Sequence, residues 1–120
     1  MENVLLRKEN ITGKWGYVDS RGKLIINPQF DDAWDFTEGI AAVKENEKWG
    51  FINTDGTYII EPQFEYARRF SEGLALVKIC NKVGYVDKSG SYIIHPQYGY
   101  AHDFSEGIAA VRRCYDKGNL

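Results

Sequence analysis

An all-β fold is predicted for this chain of 120 residues: an open repeat array of antiparallel three-stranded meanders, linked by short helical-turn crossovers. Three observations predict it. The chain lines up on itself without a gap at an offset of 34 residues. Its apolar runs are short and often β-branched, as in Tyr17-Val18, Leu24-Ile25-Ile26 and Ile40 to Val43. Glycines at three places and a mid-repeat proline separate those runs in every copy. A fixed period of this size signals a repeat architecture, and short runs divided by turn residues are the strand-and-hairpin pattern. Helical hairpin repeats share the period, but not the glycines and the central proline. A closed, propeller-like ring is the alternative. The open form fits better, because the Ile-Ala-Ala-Val type of strand occurs four times if Val4-Leu5-Leu6 is counted and the other strands three times.

The alignment sets Trp15-Gly16 on Trp49-Gly50 and Val83-Gly84, and Pro28-Gln29-Phe30 on Pro62-Gln63-Phe64 and Pro96-Gln97-Tyr98. Phe36, Phe70 and Phe104 coincide, as do Glu38-Gly39, Glu72-Gly73 and Glu106-Gly107. The copies are 13–46, 47–80 and 81–114, within one domain spanning 1–120, and an N-terminal strand at 4–7 completes the first meander. Within a copy, Lys14 to Val18 is a strand. Asp19-Ser20-Arg21-Gly22 is a tight turn with Gly at positive φ. Lys23 to Asn27 is the second strand, ended by Pro28, which cannot donate to a ladder. In Gln29 to Gly39 the residues Phe30, Ala33 and Phe36 recur every three positions, as in a single helical or 3₁₀ turn. Ile40 to Lys44 is the third strand, and a short hairpin at Glu45 to Glu47 leads into the next copy.

Composition excludes several classes of partner. Acidic and basic residues are interspersed and the formal charge is −2, so the basic stripe of a nucleic-acid binder is absent. No apolar run approaches the ~20 residues of a membrane span, and Met1 to Asn10 lacks the apolar stretch of a secretory signal; a cytoplasmic location is the expectation. Cys80 and Cys114 occupy one repeat position and are expected to be free thiols, since equivalent points of strand-built repeats stand too far apart to bridge.

The segments Lys14-Trp15-Gly16-Tyr17-Val18-Asp19, Lys48-Trp49-Gly50-Phe51-Ile52 and Lys82-Val83-Gly84-Tyr85-Val86-Asp87, each followed by Gly, an Ile-Ile strand and Pro, resemble the WG (KWG) repeat family. The Phe-x-Glu-Gly-x-Ala-x-Val segment fits it too. The resemblance covers about Leu6 to Arg113, and Val83 departs from it by losing the Trp. It implies a β-repeat, found mostly in bacteria, with a binding or scaffolding role. It brings no catalytic residues to carry over.

The residues themselves point the same way. Trp15 and Trp49 are read as packing residues, because Val83 keeps packing where it would ruin an aromatic ligand shelf. Glu38, Glu72 and Glu106 share one environment, so nothing separates their pKa values as acid–base catalysis requires; a hydrogen bond to backbone N–H is expected instead. His95 and His102 match no ligand spacing, and Asp19, Asp55 and Asp87 lack the acidic ladder of a calcium loop. No catalytic constellation and no cofactor or metal site is expected. The positions that vary while the scaffold stays constant are Asp31, Asp32, Trp34 and Asp35, then Glu65, Tyr66, Arg68 and Arg69, then Gly99, Tyr100, His102 and Asp103. Repeat arrays present such positions as an extended binding surface, and Trp, Tyr and Arg are enriched at binding hot spots. The expectation is a non-catalytic interaction module for a protein or another polymer. The alternative is self-assembly through the strand at 108–112, an apolar edge open to a second chain.

Overall fold

The computed structural model describes residues 6–9 and 13–113. Among them there are strands and turns only, in three antiparallel sheets. The first sheet holds β1 (Leu6–Glu9), β2 (Trp15–Val18) and β3 (Leu24–Phe30). The second runs in the order β4 (Asp32–Ala33), β5 (Ala41–Glu45), β6 (Lys48–Ile52) and β7 (Tyr58–Phe64). The third holds β8 (Tyr66–Ser71), β9 (Leu74–Ile79), β10 (Lys82–Val86), β11 (Tyr92–Ala101) and β12 (Val111–Arg113), with β12 and β8 at its edges. The array is open and elongated, 53 × 32 × 19 Å. The N-terminal strand expected at 4–7 falls partly outside the described residues, which begin with β1 at Leu6; Val4, Leu5 and Cys114 lie outside them. Cys80 is a free, exposed thiol.

The expected helical-turn crossovers are not present. The stretch is a fourth strand, which leaves one sheet and joins the next. The chain bends at Asp31 and at Glu65, whose amides donate to Lys44 O and Lys78 O, both at 2.8 Å. Beyond the second bend, β8 pairs with β9 through Ala67↔Val77 and Phe70↔Ala75. Two residues on one strand, Arg68 and Arg69, thus oppose the single Leu76 on the other, which is a β-bulge. The bulge turns a period of two into a period of three, so inward Ala67 and Phe70 mimic one helical turn in the sequence. Each crossover ends in a two-residue hairpin. Thr37 and Ile40 exchange both backbone hydrogen bonds at 3.0 Å around Glu38 (φ 53°) and Gly39 (φ 81°).

The proline does not end its strand either. β3, β7 and β11 run through Pro28, Pro62 and Pro96, each within a stretch that bulges against the preceding Trp-Gly or Val-Gly strand. There the two backbones nearly touch. A Cβ on Gly50 would lie 2.7 Å from both Ile60 O and Pro62 N, and Gly16 and Gly84 are equally crowded. Glycine is required because another backbone occupies the side-chain position, and proline is tolerated because a bulge leaves ladder donors unused.

Core clusters form between successive sheets, as a one-dimensional array requires. Tyr17, Ile26, Phe30, Ala33, Ala41, Val43 and Ile52 make one, and Trp49, Phe51, Phe64, Ala67, Phe70 and Val77 belong to the next. Ile26 packs on the turn at Gly56 of the following repeat, and Ile60 packs on Gly90 in the same way. Trp49 is buried in its cluster, Trp15 packs half-buried against the other, and Val83 is buried in the third.

Candidate functional site

The variable residues lie on or beside the crossover strands β4 and β8 and the end of β11. Two clefts lie there, related by one repeat. The first, about 180 Å³, is lined by Asp32, Ala33, Trp34, Trp49 and Tyr66. The second, about 160 Å³ and more enclosed, is lined by Tyr66, Arg68, Leu76, Lys78, Val83, Gly99, Tyr100 and Ala101. Tyr66 is the wall they share. Both are below the ~300 Å³ at which small-molecule and cofactor sites begin; each is the size of one large side chain.

The second cleft differs from the first in reaching Leu76, Lys78 and Gly99, and the difference can be traced residue by residue. In the second repeat Trp49 meets Tyr66 edge-on, with centroids 5.8 Å apart at 77°, and small Ala42 lies on the adjacent strand, fully buried. In the third repeat Val83 stands for Trp49 and Leu76 for Ala42. Leucine returns only part of what the indole filled. Gly99 stands where Asp31 and Glu65 have carboxylates. Tyr100, the counterpart of Tyr66, has no Trp to lean on and is 49% exposed. Its ring meets His102 edge-on at 5.3 Å, and the Arg112 guanidinium lies 5.7 Å over it.

The other variable residues divide between surface and scaffold. Asp31 and Asp35 line neither cleft. Asp31 pairs with Lys14 and accepts the Asn46 amide at 3.1 Å, and the lysine holds its carboxyl below the usual range. Glu65 does the same for the next hairpin, accepting the Cys80 amide at 2.9 Å. Trp34 is half-buried against the core, its carbonyl accepts the Tyr17 hydroxyl at 2.6 Å, and the Arg68 guanidinium lies 5.4 Å above its ring. Arg68 and Arg69 both reach Asp103 of the next repeat, at 3.1 and 3.3 Å. Arg69 is exposed and Asp103 largely covered. His102 is exposed, and its carbonyl accepts the Tyr85 hydroxyl at 2.7 Å. Burial pushes the Tyr66 and Tyr85 hydroxyls up.

Tyr66, Arg68 and Tyr100 are therefore brought into one cleft, and Asp32, Trp34 and Tyr66 into the other. Sequence reasoning overlooked Leu76, Lys78 and Val83 as cleft residues. The signal was the paired exchange of Ala42 and Trp49 for Leu76 and Val83. Among the described residues no group of three or more His, Cys, Asp or Glu side chains could hold a metal ion, and no helix is long and apolar enough to cross a membrane.

A succession of antiparallel sheets repeating every 34 residues, with its variable positions in the crossovers, defines a tandem β-repeat module. The family model described as WG containing repeat matches residues 15–49, 49–82 and 84–113, so the chain belongs to the WG repeat family. Comparison with curated proteins and with solved structures gives no match.

Proposed function

We propose that the chain is a non-catalytic interaction module that binds a protein or another polymer through its crossover-strand face. The observation that carries this reading is the pair of side-chain-sized clefts at one repeat spacing, joined at Tyr66 and rimmed by Trp34, Arg68 and Tyr100. Aromatic and Arg anchors in desolvated pockets dominate binding energy at interfaces, and two pockets in series suit an extended chain better than a compact molecule. The test is selection of displayed random peptides on the wild-type chain, counter-selected on an Arg69→Ser/Tyr100→Ser variant. Both substituted side chains are exposed, so the fold is expected to persist. Peptides that bind the wild type and lose at least tenfold in affinity for the variant support the reading. Peptides indifferent to the variant, or none at all, contradict it.

A second reading, self-assembly, is favoured by the ends of the array. Glu38 accepts the amides of Glu72 and Gly73 at 2.8 and 2.9 Å, and Glu72 fastens to Glu106 and Gly107 in the same way. The Glu106 carboxylate has no such turn to hold among the described residues, and at the opposite end a Cβ on Gly22 would meet nothing within 4 Å. The outer edge of β12 is likewise unpaired among the described residues. Sedimentation over a concentration series tests this reading. Association that disappears in Glu106→Lys, or on truncation after Gly107, supports it, and a monomer throughout contradicts it.

A further inference from the structure

We propose that the cleft floored by Val83 takes a tryptophan side chain of the partner, in the position that Trp49 fills in the preceding repeat. This rests on the reading of the crossover face as a binding surface and names what it binds. The array itself shows the occupant. In the second repeat the Trp49 indole lies buried at 4% exposure with its edge to the crossover Tyr66. Where the Trp is replaced by Val83, the tyrosine persists as Tyr100, the floor of Leu76, Val83 and Ala101 stays apolar, and the cleft of about 160 Å³ reaches Leu76 and Lys78, whose counterparts Ala42 and Lys44 do not line the cleft beside Trp49. Gly99, which lines the cleft, carries no side chain where the preceding repeats have Asp31 and Glu65. The apolar floor and the half-exposed tyrosine favour an aromatic occupant, whose ring can also lie against the Arg68 and Lys78 side chains that line the same cleft. An aliphatic side chain would forgo the edge-to-face contact with Tyr100.

The experiment is a titration of the wild-type chain with N-acetyl-tryptophanamide, followed by amide and methyl NMR shifts, with N-acetyl-leucinamide as the competing chemistry. Saturable shifts are expected at Leu76, Val83, Gly99 and Ala101, with the leucine compound at least tenfold weaker. The second protein is Leu76→Ala/Val83→Trp, which transplants the pair of the preceding repeat and fills the cleft from within. It is expected to keep the wild-type spectrum elsewhere and to lose the shifts at Gly99 and Ala101. Equal shifts in this variant, equal binding of the leucine compound, or no saturable shift in the wild type would overturn the proposal. Peptide selection separates the two levels of the argument. Selected peptides that lack Trp yet depend on Tyr100 overturn the indole assignment and leave the binding face standing. Failure to select any peptide, together with a silent titration, removes both.

Discussion

The carboxylate of Glu38 is fastened to the backbone of Glu72, its own counterpart one repeat further on. It accepts hydrogen bonds from the amides of Glu72 at 2.8 Å and Gly73 at 2.9 Å. Thr37 adds a parallel link, donating its hydroxyl to Phe70 O at 2.8 Å, and Ser71 donates to Phe104 O at 2.7 Å. The crossover hairpins thus form a ladder along the array, in which each glutamate holds the turn that follows.

Breaking one rung is expected to destabilise the chain, and substituting the third glutamate is not. A hydrogen bond to a charged group contributes about 1.5–3 kcal/mol, discounted here because the carboxylate is partly exposed. Glu38→Ala and Glu72→Ala should each cost about 1 kcal/mol in urea unfolding, and Glu106→Ala should stay within about 0.5 kcal/mol. All three sit at positive φ, so the backbone term is matched across the comparison.

Glu38 and two turn aspartates contribute to the response to acid. Burial pushes Glu38 up, but the Gly73 and Glu72 amides and Lys88 outweigh it, and the net shift is downward. The Lys23 amide holds Asp19 below its usual range, and the Ser89 hydroxyl and the amides near it do so for Asp87. A carboxylate whose folded pKa is depressed binds its proton more readily when unfolded. Its contribution is complete above the unfolded pKa of about 4 and is lost as pH falls through the folded value. The urea midpoint should therefore change little from pH 7 to pH 5 and drop below about pH 4.5. Glu38→Gln and Asp19→Asn should each flatten part of that drop.

Gly50 and Trp49 stabilise the array through different physics. Gly50→Ala puts a methyl 2.7 Å from Ile60 O, where the strands must separate, at a cost of about 3 kcal/mol. Trp49→Ala empties a buried site, at about 3–5 kcal/mol. Both are large against the roughly 5–15 kcal/mol that holds such a domain folded. Thermal melts should show each variant strongly lowered, and Tyr100→Ser near the wild type.

Much of this was legible in the sequence because the period repeats each local signal three times. The Asp-x-x-Gly turns fold as read: Gly22, Gly56 and Gly90 have φ of 84°, 88° and 90°, and the Asp19, Asn53 and Asp87 side chains accept two amides each. Packing of Trp49 was legible from its replacement by Val83. The crossover was not, since a bulged strand and a helical turn place apolar residues at the same spacing of three. Nor was the glutamate ladder, because a carboxylate that holds the next repeat's turn looks, within one repeat, like one that holds its own. The cleft was hidden for a third reason. It arises from the summed volumes of residues 76, 83 and 99, which lie on different strands and meet only when the sheet forms.

The most direct measurement of the central claim is a map of backbone amide shifts as a peptide selected on the wild-type chain is titrated in. The expected result is one contiguous set of shifts at Asp32, Trp34, Tyr66, Arg68, Tyr100 and Ala101, with the Asp19–Gly22 and Asn53–Gly56 turns unchanged. Shifts centred on those turns, or on the outer edge of β12, would contradict the assignment of the crossover face as the binding surface.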